Sequence, residues 1–379
     1  MKVLLKVPLN PYSGYGNDGI GIAQALLRAG CDVYLQPLHV SPPLPREVAA
    51  LLTRRLDAPF DLCIHHTDPG QLGISPETRR AAQTIVGWTM WEYSTLDNLH
   101  NRRSLRKRLQ GYDVVLGYDS VSTGALTPYV SKPAVPATLQ GGYWPQLWPA
   151  VSRDWTGDRF GFAMEGQLHE RKDPFVAIQA FQELKEAHPE EFDGAELHLK
   201  TNIPGLHSAM QGWVPKLRVH YTVWPHDVLR DFYAAQHVLL APSRGEGKNM
   251  PALQFLSTGG TVIATNWGGH TQWLHSSYAY PLDFTLAPID GGHPKCLSAR
   301  ADKDHLKALM WHTYTHRSEA RDKGAVAAAM IPDMCAWSAV MDRFFLRLAE
   351  LVPGRGERLL ADYQTQRPTP APRQEPAYA

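Results

Sequence analysis

Apolar positions along the chain fall into short continuous runs, separated by stretches with helical spacing. KVLLKVPL at 2–9 and CDVYLQPL at 31–38 read as strands, and FDLCIHH at 60–66, TIVGWTMW at 84–91 and YDVVLGYDS at 112–120 as strands ending in polar residues. Between the first two runs lies IAQALLRAG, 22–30, with helical spacing and Gly30 to close it. Continuous apolar strands alternating with helices predict a parallel sheet covered on both faces. The period is lost in GGYWPQLWPAVSRDWTGD, 141–158, which places a domain junction there. The rhythm then restarts, with strands in RFGFAMEG (159–166), AELHLKTN (195–202), LRVHYTVW (217–224), HVLLAPS (237–243) and TVIATN (261–266) and helices in DPFVAIQAFQELKEA and VLRDFYAA. The expected architecture is α/β, two doubly wound Rossmann-like domains facing each other across a cleft, the first over 1–150 and the second over 151–337. From 302 the pattern turns helical as far as 352. Residues 353–379, rich in Pro, Arg and Gln, read as a flexible tail.

Composition narrows the function classes. Lys plus Arg number 38 against 37 Asp plus Glu, so no global field recruits nucleic acid or an anionic membrane. Charged residues or prolines interrupt every apolar stretch well short of the ~20 residues a membrane-spanning helix needs. The start lacks a small-residue cleavage site and reads as a buried strand, so no export is expected. Cys31, Cys63, Cys296 and Cys335 form no C-x-x-C pair and no disulfide framework, which fits a reducing cytoplasm. The 11 Trp, 15 Tyr and 17 His suit a carbohydrate or nucleotide pocket, and equally a rigid core.

The stretch most informative about chemistry is APSRGEGKNMPALQFLSTGGTVIATNWGGHTQWL, 241–274. A strand ends at Ala241, a polar glycine loop carries Glu246, Pro251 opens a helix and Gly259 and Gly260 stop it. A helix N-terminus suits a diphosphate, and Glu246 beside it can accept hydrogen bonds from sugar hydroxyls; an ordinary crossover with a capping acid fits the local physics equally.

This segment resembles the signature of retaining GT-B glycosyltransferases of family 4, also called group 1. Ser243, Arg244, Gly245, Glu246, Gly247, Pro251, Leu253, Gly259, Val262, Ile263, Ala264, Gly268 and Gly269 match its pattern. The resemblance implies that Glu246 contacts the donor sugar and that Gln254, standing where the family has a second glutamate, meets the nucleotide ribose. Lys248 and Asn249 replace the family's Phe and Gly. FAMEGQLHERKDPFVAIQAF, 162–181, resembles the family's basic loop that grips the donor diphosphate. Arg171 and Lys172 match its basic pair, and Gln167 stands where an arginine is usual. The resemblance further implies Gly166, Lys248, Asn249, Met250, Gly268 and Gly269 at the donor, and a helix at 338–352 that packs back on the first domain.

In the first half, Gly14, Gly16 and Gly19 satisfy the dinucleotide fingerprint G-x-G-x-x-G, but no acid ends the second strand, which argues against NAD. The family places this loop across the cleft from the donor, which assigns Gly14, Tyr15 and Gly16 to the cleft wall. His65 and His66 end one strand, and Trp91, Glu92 and Tyr93 follow another; strand ends of open α/β sheets point into the ligand cleft. Glu92 is the candidate acceptor-orienting acid or base, and the reading of these residues as solvated strand ends stays open. His65, His66 and Asp68 imitate a metal site only until strand alternation is considered. Asp302 and Asp304 read as a helix cap rather than a metal motif. Arg102, Arg103, Arg106, Lys107 and Arg108 concentrate on one helix candidate, either a solvated face or a dock for a membrane or polyanion.

The resemblance therefore implies a retaining glycosyltransferase. It would move a sugar from a nucleoside-diphosphate sugar to a hydroxyl of a glycan, lipid, protein or modified nucleic acid. Front-face attack would need no metal and no cofactor, with Glu246, Lys172 and Glu92 as catalytic residues. The competing readings are a GT-B scaffold without turnover, motivated by Gln167 and Gln254, and an NAD-dependent enzyme.

Overall fold

A computed structural model of the chain describes residues 1–99, 102–130, 135–136, 142–203 and 213–366. The apolar runs of the first half become β1 (Lys2–Lys6), β2 (Asp32–Leu35), β3 (Phe60–His66), β4 (Ala82–Thr89), β5 (Val114–Gly117) and β6 (Val135–Pro136). They pair in parallel in the order β2-β1-β3-β4-β5-β6. Helices α1 (Gly14–Arg28), α2 (Arg46–Leu51), α3 (Pro76–Ala81), α4 (Arg102–Leu109) and α5 (Ser120–Leu126) connect them. Because strand side chains alternate, Val3, Leu5, Leu62 and Ile64 build one apolar layer and Leu4, Cys63 and Ile85 the opposite one.

The second half repeats the plan. Strands β7 (Phe160–Gly166), β8 (Ala195–Thr201), β9 (Leu217–Tyr221), β10 (Val238–Ala241), β11 (Thr261–Thr265) and β12 (Tyr280–Leu282) form a second parallel sheet in the order β12-β11-β10-β7-β8-β9. Helices α6 (Pro174–Ala187), α7 (His226–Ala234) and α8 (Met250–Ser257) connect its strands. An antiparallel hairpin, β13 (Phe284–Pro288) and β14 (Leu297–Ala301), follows and has no counterpart in the sequence reading. The chain ends in α9 (Lys303–Thr315), α10 (Arg317–Cys335), α11 (Trp337–Leu351) and α12 (Arg355–Gln366). Asp302 caps α9 by accepting from the His305 amide at 2.9 Å, as the sequence predicts.

The core changes halves at two adjacent points. Trp144 packs with the first half and Trp148 with the second, while Cys335 belongs to the second and Trp337 to the first. The Tyr143 amide donates to the Cys335 carbonyl at 3.0 Å and the Trp337 amide to the Tyr143 carbonyl at 3.3 Å, so the two crossings run side by side. Helix α11 returns to the first half, where Phe344 stacks on Trp88 at 5.3 Å.

Two expectations change. Residues 355–366 are a helix rather than a flexible tail: Leu359 and Tyr363, one turn apart, are buried, and the Tyr363 ring lies 4.2 Å from that of Phe345. Gly14, Tyr15 and Gly16 are not loop residues but the first turn of α1, whose N-cap Ser13 accepts from the Gly16 amide at 3.2 Å. Gly16 and Gly19 let that turn press on the backbone of Asn10 and Pro8, and Gly21 faces the Trp337 ring so closely that a Cβ there would overlap it. Close packing accounts for Gly16, Gly19 and Gly21. The stretch 367–379 and the side chain of Arg102 lie outside the described residues.

Candidate functional site

In the second sheet the strand order reverses between β7 and β10, and the crevice outside such a switch point is where open α/β sheets bind ligands. Two loops leave the sheet there, 167–173 after β7 and 242–249 after β10. They are stitched together: the Arg244 amide donates to the Arg171 carbonyl at 2.7 Å, and the Arg171 guanidinium donates to the Gly245 carbonyl. Gly166, where β7 gives way to the first loop, adopts φ 127°, a conformation that L side chains rarely take.

Both predicted cations converge on the predicted acid. Lys172 Nζ lies 2.6 Å from Glu246 Oε1 and Arg171 Nη1 3.2 Å from Glu246 Oε2. Burial alone would push the Glu246 carboxyl up, but Lys172 and Arg171 overcome it and hold the group well below the usual carboxylate range. Burial would also weaken the Arg171 charge, and the carboxylates of Glu246 and Glu92 more than restore it. The result is a cluster of two half-buried cations around a buried carboxylate, facing the switch point.

The loop carrying Glu246 is braced from behind. The Gly269 amide donates to the Glu246 carbonyl at 2.8 Å, and a Cβ at Gly269 would overlap the Gly247 carbonyl. Gly268, at φ 63°, passes the same backbone closely. Gly268 and Gly269 thus touch the loop that presents Glu246. His270 is buried, which lowers its imidazole to about 4. Its Nδ1–H donates to the Thr265 carbonyl at 2.8 Å, and Nε2 accepts from the Asn249 amide at 3.0 Å. Asn249 itself sits at φ 62°, which starts α8 abruptly, with Met250 half-buried in its first turn and Gln254 buried one turn on.

From the first half, Glu92 comes within 3.9 Å of Arg171 Nη2, and its backbone carbonyl presses on Gly245. Burial raises the Glu92 carboxyl; Arg171 lowers it and Glu246 raises it again. Tyr15 supports this side, its hydroxyl donating to the carbonyl of Met90.

Other expected cleft residues lie elsewhere. His65 and His66 point to opposite faces of β3, as alternation requires: His65 Nδ1 accepts from the Tyr112 hydroxyl at 2.6 Å, while His66 Nδ1–H donates to the Trp88 carbonyl at 2.9 Å among aromatic core residues. Trp91 is buried too, its indole donating to the Thr95 carbonyl at 2.7 Å. Lys248 turns away from Glu246 into the first half, where its ammonium meets Asp18. On α4, Arg108 donates inward to the carbonyls of Gly70 and Leu72 and Arg106 to that of Pro128, which leaves Arg103 and Lys107 exposed to solvent.

Sequence reasoning missed Asp18, Met90 and the reach of Arg244. Arg244 joins the basic loop to the β13–β14 hairpin through Asp173 at 2.8 Å and Asp290 at 3.2 Å. Arg244 lies inside the 241–274 motif, but its distant partners leave no local mark; Met90 carries no signal, and Asp18 carries one, a carboxylate on the apolar face of a helix.

Residues 159–281 match the family described as glycosyl transferases group 1. No curated protein sequence matches the chain. Among solved structures it is similar to sucrose-phosphate synthase from Thermosynechococcus elongatus, with 15% identity, TM-score 0.63 and coverage of 95% of this chain and 99% of that one. The α,α-trehalose 6-phosphate synthase from Burkholderia multivorans gives 14%, 0.63, and 98% and 99%. Anabaena HepE in complex with UDP-glucose gives 13%, 0.63, and 92% and 100%. At these identities the likeness is one of fold, the two-domain GT-B architecture over nearly the whole chain.

Proposed function

We propose, from the premise that a group 1 glycosyl transferase segment sits here within a full GT-B fold, that the chain moves a sugar from a nucleoside diphosphate to a hydroxyl acceptor with retention. The observation that carries this reading is the convergence of Arg171 and Lys172 on Glu246 at the switch point of the second sheet. Without ligand, the Glu246 carboxylate offsets one of the two positive charges of Arg171 and Lys172. A donor diphosphate would take over that role and free Glu246 to accept hydrogen bonds from sugar hydroxyls. As the glycosidic bond breaks, negative charge grows on the leaving diphosphate, and two fixed cations stabilise it without reorganisation. The leaving phosphate can take the acceptor proton during front-face attack. Gln254 on α8 is assigned to the ribose, and Glu92, its carboxyl biased toward the protonated form, to the acceptor hydroxyl. The likeness to a protein solved with UDP-glucose supports a UDP-linked hexose as the first donor to try. No helix among the described residues is long and apolar enough to cross a membrane. If the acceptor is carried on an anionic surface, Arg103 and Lys107 are the side chains free to meet it.

The test is release of nucleoside diphosphate from a panel of nucleotide sugars, with and without hydroxyl acceptors. Turnover by the native chain, and loss of about a hundredfold or more in Glu246→Gln with nucleotide binding kept, is the expected result. Nucleotide binding with no turnover would favour the scaffold reading, and binding of NAD alone the dinucleotide one.

A further inference from the structure

Asp18 and Lys248 make an ion pair between residues 230 positions apart, buried to 0% and 4% exposure. Asp18 lies on α1 of the first half, and Lys248 on the loop of the second half that carries Glu246. The pair is well partnered. Tyr118 donates its hydroxyl to Asp18 Oδ2 at 2.7 Å, His66 Nε2 stands 3.7 Å from the same oxygen, Lys248 donates to the Gly142 carbonyl at 3.3 Å, and its ammonium lies 5.6 Å from the Trp337 ring centre. The Lys248 carbonyl in turn accepts from the Trp273 indole at 2.7 Å.

The loop meets the first half at two further points. A Cβ at Gly245 would overlap the Glu92 carbonyl, and one at Gly247 the Met90 side chain. Glu246 is thus flanked on both sides by glycines lying flat on the first half, with Lys248 as the one charged anchor beyond them. Replacing a buried ion pair by apolar groups is often neutral or stabilising, so stability alone gives little reason for this one. Its geometric effect is specific: with the ammonium held by Asp18 and Gly245 and Gly247 against Glu92 and Met90, the pair ties the backbone two residues earlier to the first half.

We propose that Lys248 and Asp18 are positioning residues for the sugar-facing carboxylate, coupling the placement of Glu246 to the docking of the two halves. This rests on the glycosyltransfer reading above. With its ammonium on Asp18, Lys248 does not reach Glu246; the pair acts through the backbone of Gly247, and catalysis is sensitive to small misplacement of such a group.

The experiment compares the native chain with Lys248→Arg, Lys248→Met and the double variant Asp18→Asn/Lys248→Met. The double variant is included because the single one leaves Asp18 buried and unpaired. Nucleoside diphosphate affinity is measured by calorimetry, sugar release by kinetics and folding by thermal melting. The expected result is that kcat falls about tenfold to a hundredfold in the double variant. Nucleotide affinity, set within the second half, stays within about twofold, and Lys248→Arg recovers part of kcat. Unchanged kcat in a folded double variant overturns the proposal, and so does a loss of kcat that only tracks the melting temperature. If the native chain itself binds no nucleoside diphosphate and releases no sugar, the glycosyltransfer reading fails. Solution scattering then decides the pair alone: a larger radius of gyration in the double variant supports its hold on the two halves, and an unchanged one overturns it.

Discussion

At the residue scale, the site is an argument about charge balance. Glu246 keeps its charge despite burial because Lys172 and Arg171 sit within ion-pair distance, so removing one partner changes the carboxylate and the remaining cation together. Lys172→Met is expected to weaken UDP binding by about 2 kcal/mol or more, the cost typical of losing one partner from a desolvated charge contact. Calorimetric titration checks it, and an unchanged affinity would show that the ammonium faces something other than phosphate. Glu246 and the basic pair were legible in the sequence because the loop residues around them match a known pattern. The fate of Lys248 was not. Two positions on from Glu246 it looks like another donor contact, and only the turn of the loop sends its ammonium toward Asp18 instead.

At the scale of elements, glycines set how closely helices approach. Gly21 on α1 meets the Trp337 ring of α11, which is fully buried and has no room to shift. Gly21→Ala is therefore expected to cost about 1–3 kcal/mol through overpacking, read as a lower urea midpoint with an unchanged slope. Arg153 shows another device of this scale. Its buried guanidinium, lowered to about 9 by desolvation, donates to the carbonyls of Tyr233, Gln236 and Thr258 at the ends of α7 and α8. Strands and long helices were predictable from periodicity. The β13–β14 hairpin was not, since its residues are mostly half-exposed and its contacts run to the opposite half, where the Ser94 amide donates to the Leu297 carbonyl at 3.1 Å. Helix α12 was hidden for a different reason: its surroundings in sequence are rich in Pro and Arg, and its few apolar residues matter only because Phe345 is there to receive Tyr363.

At the scale of the whole molecule, four buried imidazoles tie stability to pH. Burial lowers His65 to about 3 and His66, His237 and His270 to about 4. The folded chain holds them neutral, whereas unfolded imidazoles take up protons below about 6.5. Unfolding therefore binds protons in this window, and each group removes up to about 1.4 kcal/mol of stability per pH unit as pH falls from about 6.5 toward 4. Glu246, whose carboxyl is depressed, adds a loss of the same sign at lower pH. The melting temperature is expected to fall steeply below pH 6.5, before most carboxylates protonate. A flat profile down to pH 5 would mean that these imidazoles are charged in the folded chain.

The sequence by itself determined the α/β class with its two series of strands and helices, and its loop motifs singled out Arg171, Lys172 and Glu246, which the structure brings together. Each of these is local: strand and helix periods, glycine and proline punctuation and a loop motif act over a few residues. Only the tertiary structure decided which polar residues serve the cleft and which serve the joint between the halves. His66, Trp91 and Lys248 share strand ends or loops with site residues, yet their surroundings come from segments far away in the chain. Burial and partner choice are properties of the assembled halves, so Asp18 and Lys248, 230 positions apart, have no relation until the fold brings them together.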